Sequence, residues 1–252
     1  MEDKNLNFYK DLYMDLFLPE QDEFFCIVYF HGGGLVEGDK GDTHDFVRHL
    51  TKLGFAVATA NYSLLTEKKF PECIKDAAHT VRYIKDNTVR YIKDNIAKYG
   101  KCKGILVSGQ SAGAYLTLML CLNKEYLKEF GIDNKEIVGW ISDAGQPTTH
   151  FNILKYERDL DPLLQRVDEA APLYYVNKDT DFSHLLLLSY EYDLPNRLEQ
   201  NKLLMSSIKT FNKEADVELQ ILKGEHCHGS GQLDEDNEYE VVKVIKEWMH
   251  RL

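Results

Sequence analysis

The sequence predicts an α/β fold in which a mostly parallel central sheet carries helices on both faces. Apolar runs such as Phe24 to Phe30, Phe55 to Ala60 and His184 to Tyr190 are too continuous for strands with one wet face, and match strands covered on both sides. Helical segments separate them, so strand and helix alternate along the chain, the order that right-handed crossovers convert into parallel pairing. The 252 residues, 44% hydrophobic and 28% charged, supply a sizeable core and fit a single domain spanning 1–252.

From Tyr9 to Leu18 apolar residues alternate and the run stops at Pro19, which reads as an early, partly exposed strand. After the polar turn Glu20 to Glu23 comes the buried strand Phe24 to Phe30, with His31-Gly32-Gly33-Gly34 hanging from its C-terminal end. A helix from about Asp42 to Leu53 leads through Gly54 into the strand Phe55 to Ala60. Next follow a helix from about Pro71, the strand Gly104 to Ser108, the turn Gly109-Gln110-Ser111-Ala112-Gly113, and a helix from Ala112 to about Asn123. Farther on, Ile137 to Ser142 and His184 to Tyr190 are strands, and Arg197 to Phe211 is a helix. The strand Val217 to Leu222 precedes a closing amphipathic helix from Tyr239 to His250. Between Asp143 and Phe182 the alternation lapses, with an apolar-spaced helix expected around Pro162 to Val167.

One segment breaks the pattern: Thr80 to Asn87 is repeated without change as Thr88 to Asn95. Eight residues carry a helix about 80° beyond two full turns, so the second copy cannot keep the same stripe on the core. The helix is then either extended or partly extruded. Two copies are too few for a repeat architecture, and the duplication is assigned no part in the chemistry.

A net charge of -11 argues against a partner recognised through its phosphate backbone, because nucleic-acid binding needs clustered Lys and Arg. No stretch approaches the roughly 18 apolar residues of a bilayer span, and Met1 to Asn5 lacks the basic-then-apolar pattern of a secretory signal. The expectation is a cytoplasmic protein without a membrane partner. Cys26, Cys73, Cys102, Cys121 and Cys227 are odd in number and scattered, which suits reduced thiols.

Two short runs carry the chemistry. Gly109 to Gly113 has the form G-x-S-x-G, which places Ser111 on a tight strand-to-helix turn where small neighbours leave the hydroxyl exposed. His31 to Gly34 offers backbone N–H groups, above all those of Gly33 and Gly34, to a developing oxyanion with no Cβ in the way. Ala112, at the start of a helix, adds its N–H as a third donor. Together these runs resemble the α/β-hydrolase superfamily, and within it the hormone-sensitive-lipase-like esterases, whose oxyanion loop reads HGGG.

The resemblance covers nearly the whole chain and implies a triad in the order Ser, acid, His. Asp193, beyond the strand His184 to Tyr190, stands where the family places its acid, with Glu191 as the neighbouring competitor. His226 and His228 both follow the last strand. His226 is favoured because the imidazole must emerge early in that loop to reach the turn, and His228 before Gly229 is the alternative. His31 and Gly32 are expected to shape the glycine loop, and Asp76 and Asp143 to be structural. The insertion Asp143 to Phe182 corresponds to a small lid, and its Phe151, Tyr156, Tyr174 and Tyr175 either line an acyl pocket or fill core. The N-terminal segment is too short for the larger helical cap of many relatives.

A metal reading of His226-Cys227-His228 has no second cysteine pair or acid–histidine helix behind it, so no metal is expected. No cofactor is expected either, since neither G-x-G-x-x-G nor G-x-x-x-x-G-K-S occurs. The implied activity is hydrolysis of a small-molecule ester, short-chain or acetyl, through an acyl-enzyme on Ser111. Acetylated sugars belong to that class, as for the xylan-esterase-like members. An arylformamidase or small peptidase would use the same three residues, although Leu35 follows Gly34 where the formamidase signature has an aromatic soon after its HGG. A ligand-binding protein that had lost catalysis would usually lack the serine or the histidine.

Overall fold

The structure, a computed structural model, describes residues 1–99 and 101–252, and among these the side chains of all but 88–99. Its strands are, in chain order, β1 (Glu2–Tyr9), β2 (Leu12–Phe17), β3 (Glu23–Phe30), β4 (Ala56–Ala60), β5 (Lys101–Gln110), β6 (Ile137–Asp143), β7 (His184–Tyr192) and β8 (Asp216–Glu225). They form one sheet in the order β1-β2-β4-β3-β5-β6-β7-β8. β1 and β2 are antiparallel to their neighbours, and every other pair is parallel.

Period-two alternation sends each strand's side chains to two separate cores. Cys26, Val28 and Phe30 of β3 join one, and Ile27 and Tyr29 join the other. The first core is covered by α2 (Glu72–Tyr99), α3 (Ala112–Leu122) and α6 (Arg197–Phe211). The second is covered by α1 (His44–Lys52) and α8 (Glu240–Met249), through Phe46, Val47, Leu50, Val241, Ile245 and Trp248. Every residue of α3 is buried, so this helix is apolar all round and is fixed in the molecule from its first residue. Shorter helices are α4 (Glu125–Lys128), α5 (Phe151–Glu157) and α7 (His228–Gly231).

Two local differences from the sequence reading have physical causes, and the duplicated segment takes one of its two expected forms. β1 was not expected, because its polar residues leave no clean alternation; main-chain pairing with β2 builds it. α2 runs unbroken from Glu72 to Tyr99, so its backbone takes up the duplication by extension, with Ile74, Ala77, Val81 and Ile84 on the core. The side chains of the second copy, Thr88 to Asn95, lie outside the described residues.

The helix expected around Pro162 to Val167 is absent, and the insertion instead forms α5. Leu163, Leu164 and Val167 are exposed, so a helix there would bury nothing, and one this short does not persist without packing. The Asp161 carboxylate takes the Leu163 N–H in a local turn, and Asp168 gathers Arg158, Arg166 and Thr149 into a polar knot. α5 begins where the His150 Nδ1 accepts from the Asn152 N–H at 3.2 Å. Burial, with Arg197 nearby, holds the His150 ring well below the usual imidazole range, hence neutral and able to accept.

All five cysteines are free. Among the described residues no helix is long and apolar enough to cross a membrane.

Candidate active site

β5 ends at Gln110, and Ser111 turns the chain into α3 with φ 54° and ψ −111°. That conformation is costly for a residue with a Cβ, and close packing imposes it. A Cβ on Gly113 would lie 2.0 Å from the Phe30 carbonyl oxygen, and one on Gly109 would lie 2.4 Å from the Gly113 carbonyl carbon. Only glycine at both positions lets β5, β3 and α3 approach so closely. The Ser111 N–H donates to the Asp143 carbonyl at 2.8 Å, and the Ser111 carbonyl accepts from Tyr115 at 3.0 Å as α3 begins.

The C-terminal ends of β7 and β8 bring two more side chains to this turn. His226, just past β8, has its Nε2 2.8 Å from the Ser111 Oγ and its Nδ1 2.5 Å from the Asp193 Oδ1. Asp193, just past β7, also accepts from the N–H of Leu194 at 2.7 Å and of Tyr190 at 3.3 Å. Its side chain is 2% exposed against 22% for His226, so the carboxylate is held while the ring faces the opening. His228, the first residue of α7, is exposed and packs its ring on Gly224, away from Ser111. Glu191 is exposed. Among the described residues no group of three or more His, Cys, Asp or Glu is arranged to hold a metal ion.

The glycine loop lies alongside. A Cβ on Gly32 would sit 3.5 Å from the Ser111 Cβ. Gly33 has φ 95° and Gly34 φ 61°; a Cβ on Gly33 would fall 2.0 Å from the Glu37 carbonyl oxygen, so the turn excludes any other residue. The Gly33 carbonyl accepts from Val36 and Glu37, which closes the turn and leaves the Gly33 and Gly34 N–H groups without an acceptor among the described residues. The Ala112 N–H, at the first turn of α3, points from the N-terminal end of the helix dipole.

His31 supports this loop from beneath. Its ring stacks on Tyr62 at 4.4 Å between centroids, and its Nδ1 lies 2.8 Å from the Gly32 carbonyl. Burial lowers its affinity for a second proton, so the neutral ring donates to that carbonyl. Tyr62 donates to the His31 and Gly32 carbonyls at 3.0 and 3.1 Å. Asn152 of α5 donates its Nδ2 to the Gly34 carbonyl at 2.7 Å, with Phe151 beside it against Gly34. Tyr62 and Asn152 escaped the sequence reading, since nothing local in either segment points to a loop so distant along the chain. Of the insertion's other aromatics, Tyr156 and Tyr174 are exposed, and Tyr175 packs against the core. Asp76 accepts from the Ser63 N–H at 3.0 Å and braces a loop away from Ser111.

Beside Gly32 and Gly33 opens a cleft of about 340 Å³, lined also by Glu37, Asp42, Thr43 and Gln110. A larger one of about 530 Å³, bounded by Phe17, Arg48 and Gly54 among others, contains none of the residues around Ser111.

Known structures reproduce this arrangement of strands and helices. Esterase B from Lactobacillus rhamnosis matches 100% of the chain, and 84% of its own chain is covered, with a TM-score of 0.76 at 15% identity. The chain has the α/β-hydrolase fold. The BD-FAE family model matches residues 14–138 of this chain, from β2 into β6. The butyrate-bound esterase 2 of the planctomycete Thermogutta terrifontis matches 96% of it at a TM-score of 0.73 and 16% identity, with 90% of that chain covered. Among curated proteins, the Mycobacterium tuberculosis esterase LipI is 31% identical over 172 residues, 66% of this chain and 45% of LipI. The Papaver somniferum 3-O-acetylpapaveroxine carboxylesterase CXE2 is 25% identical over 174 residues, 65% of this chain and 47% of CXE2. The chain thus spans about half the length of those curated relatives.

Proposed function

We propose that this chain is a serine carboxylic-ester hydrolase acting on short-chain or acetyl esters. One observation carries the reading: a single imidazole, that of His226, bridges the Ser111 hydroxyl and the Asp193 carboxylate. A serine hydroxyl is a weak nucleophile until a base takes its proton, and the base works when a carboxylate fixes its tautomer. In this scheme Asp193 holds the proton on Nδ1, which leaves Nε2 free to accept from Ser111. The oxygen attacks the ester carbonyl, and the N–H groups of Gly33, Gly34 and Ala112 receive the oxyanion. His226 returns its proton to the departing alcohol, and water repeats the sequence on the acyl-enzyme. Each oxyanion donor contributes on the order of 10²-fold or more to the rate.

Two observations support a small acyl group and a polar alcohol. The cleft beside the glycine loop is lined by the carboxylates of Glu37 and Asp42, the Thr43 hydroxyl and the Gln110 amide, groups that solvate hydroxyls better than a long alkyl chain. Among the proteins it resembles, one is named for an acetyl ester and another was solved with butyrate. Five unpaired thiols fit a cytoplasmic setting, and the net charge of -11 fits small-molecule rather than nucleic-acid recognition.

The test is hydrolysis of p-nitrophenyl acetate, butyrate and octanoate by the wild type and Ser111→Ala. The expected result is a clear preference for acetate and butyrate and a loss of roughly 10⁴-fold or more in kcat on substitution. Activity surviving in Ser111→Ala removes the nucleophile from the scheme, and a preference for octanoate removes the substrate class.

A further inference from the structure

Behind the triad sits a carboxylate to which the scheme above gives no task. Asp143 ends β6, is 2% exposed, and touches all three segments that converge on Ser111. Its main-chain carbonyl takes the Ser111 N–H at 2.8 Å. Its Oδ1 accepts from the Tyr190 hydroxyl at 2.8 Å, and the Tyr190 N–H in turn donates to Asp193. Its Oδ2 accepts from the Ser230 hydroxyl, which lies four residues beyond His226 and also reaches the Cys227 carbonyl at 3.3 Å. Gly229 leaves no room to spare, since a Cβ there would stand 3.3 Å from the Tyr190 oxygen.

Resting on the reading that Ser111, His226 and Asp193 do the chemistry, we propose that Asp143 is a positioning residue. Its carboxylate ties the acid and base loops to the serine turn, and its charge stabilises the imidazolium that forms at His226. The groups facing it are Tyr29 from β3, Tyr190 from β7, and Cys227, His226 and Asp193 from the two loops. Arg197 of α6 faces Asp193 and Cys227 and spends its N–H groups on the Ala144 carbonyl and the Gln146 side chain. Two hydroxyls are modest compensation for a charge buried this deeply, so ionised Asp143 is well placed to respond to positive charge appearing at His226. Burial pushes the Asp143 carboxyl up to about 6, against the pull of Ser230, Tyr190 and His226. Protonation would turn one of these oxygens from acceptor into donor, and the hydroxyl facing it would have to rotate and reverse its tie.

The experiment compares the wild type with Asp143→Asn and with the double variant Tyr190→Phe/Ser230→Ala. The double variant keeps the carboxylate, in case the amide fails to fold. The first readout is the low-field proton NMR line of the His226–Asp193 hydrogen bond, which needs no turnover. The second is the pH dependence of Ser111 modification by a fluorophosphonate. The line is expected to move or broaden in both variants, and modification at pH 7 to slow by about 10- to 100-fold, the scale of an ångström-sized misplacement. As pH drops through about 6 the wild-type rate is expected to depend on one more proton than that of Asp143→Asn. A purely structural role would leave the folded fraction with the wild-type line, rate and proton count, and that result overturns the proposal. Should the wild type resist the fluorophosphonate while the NMR line still responds, the hydrolase reading fails and the positioning link stands.

Discussion

Asn152 and Gly34 are 118 residues apart in sequence, yet the amide of one donates to the carbonyl of the other at 2.7 Å. The bond fixes the peptide plane that follows Gly34 and so anchors the end of the glycine loop to α5. α5 is therefore a structural partner of the glycine loop proposed to receive the oxyanion. Asn152→Ala is expected to lower kcat for p-nitrophenyl acetate by roughly 10- to 100-fold. The same change costs about 1 kcal/mol in urea unfolding, the ordinary value of one hydrogen bond. Steady-state rates set against the unfolding curve separate the two effects, and a loss of stability alone would show that α5 merely packs there.

The two histidines past β8 give opposite expectations. His226→Ala should lose about 10³-fold or more in kcat/KM, while His228→Ala, which alters an exposed ring on Gly224, should stay within about threefold of the wild type. Parallel assays on one short ester decide it, and a reversal of the ranking would reassign the base.

Gly113→Ala places a methyl group 2.0 Å from the Phe30 carbonyl oxygen, where backbone rather than a flexible side chain must give way. Overpacking of this kind costs about 3 kcal/mol or more where nothing can move aside. Gly231→Ala meets no atom within 4 Å and is expected to stay within about 0.5 kcal/mol of the wild type. Thermal melts of the pair check the contrast.

Asp143 also makes stability depend on pH in a defined direction. Because burial raises its carboxyl to about 6, the folded chain holds that proton more tightly than the unfolded chain does. The stability this supplies is complete below about pH 4 and is lost as pH rises through about 6, a change of roughly 3 kcal/mol. Asp143→Asn has no such proton. The stability of the wild type minus that of the variant should therefore fall between pH 4 and pH 7 in urea titrations. A difference that stays flat over that range would contradict the burial argument.

Much of the fold was legible because its signals are local. The strands β3, β4 and β7 announce themselves as largely apolar runs, and Arg197 and Phe211 bound the predicted helix and α6 alike. Ser111, His31 and the glycines could be placed because the turns they build forbid side chains at fixed offsets. What escaped was set by tertiary contact. β1 needs a neighbour before its polar residues become a strand, and Pro162 to Val167 stays irregular because nothing lies beneath its leucines. Asn152, Tyr62 and the hydroxyls of Tyr190 and Ser230 meet their partners only after the sheet has assembled. His226 stood ahead of His228 only by emerging earlier in the loop past the last strand, and β8, which runs on to Glu225, puts it at the strand's end.

The left-handed backbone of Ser111 has a consequence for how the intact molecule is counted. An unfolded chain rarely visits φ 54°, ψ −111°, so the Ser111 hydroxyl meets His226 only with the assembled centre of the sheet and parts from it on melting. A covalent probe of that oxygen is then a census of native molecules. The fraction titrated on warming should follow the melting of β3, β5 and α3, even while helices at the periphery still contribute to the circular dichroism.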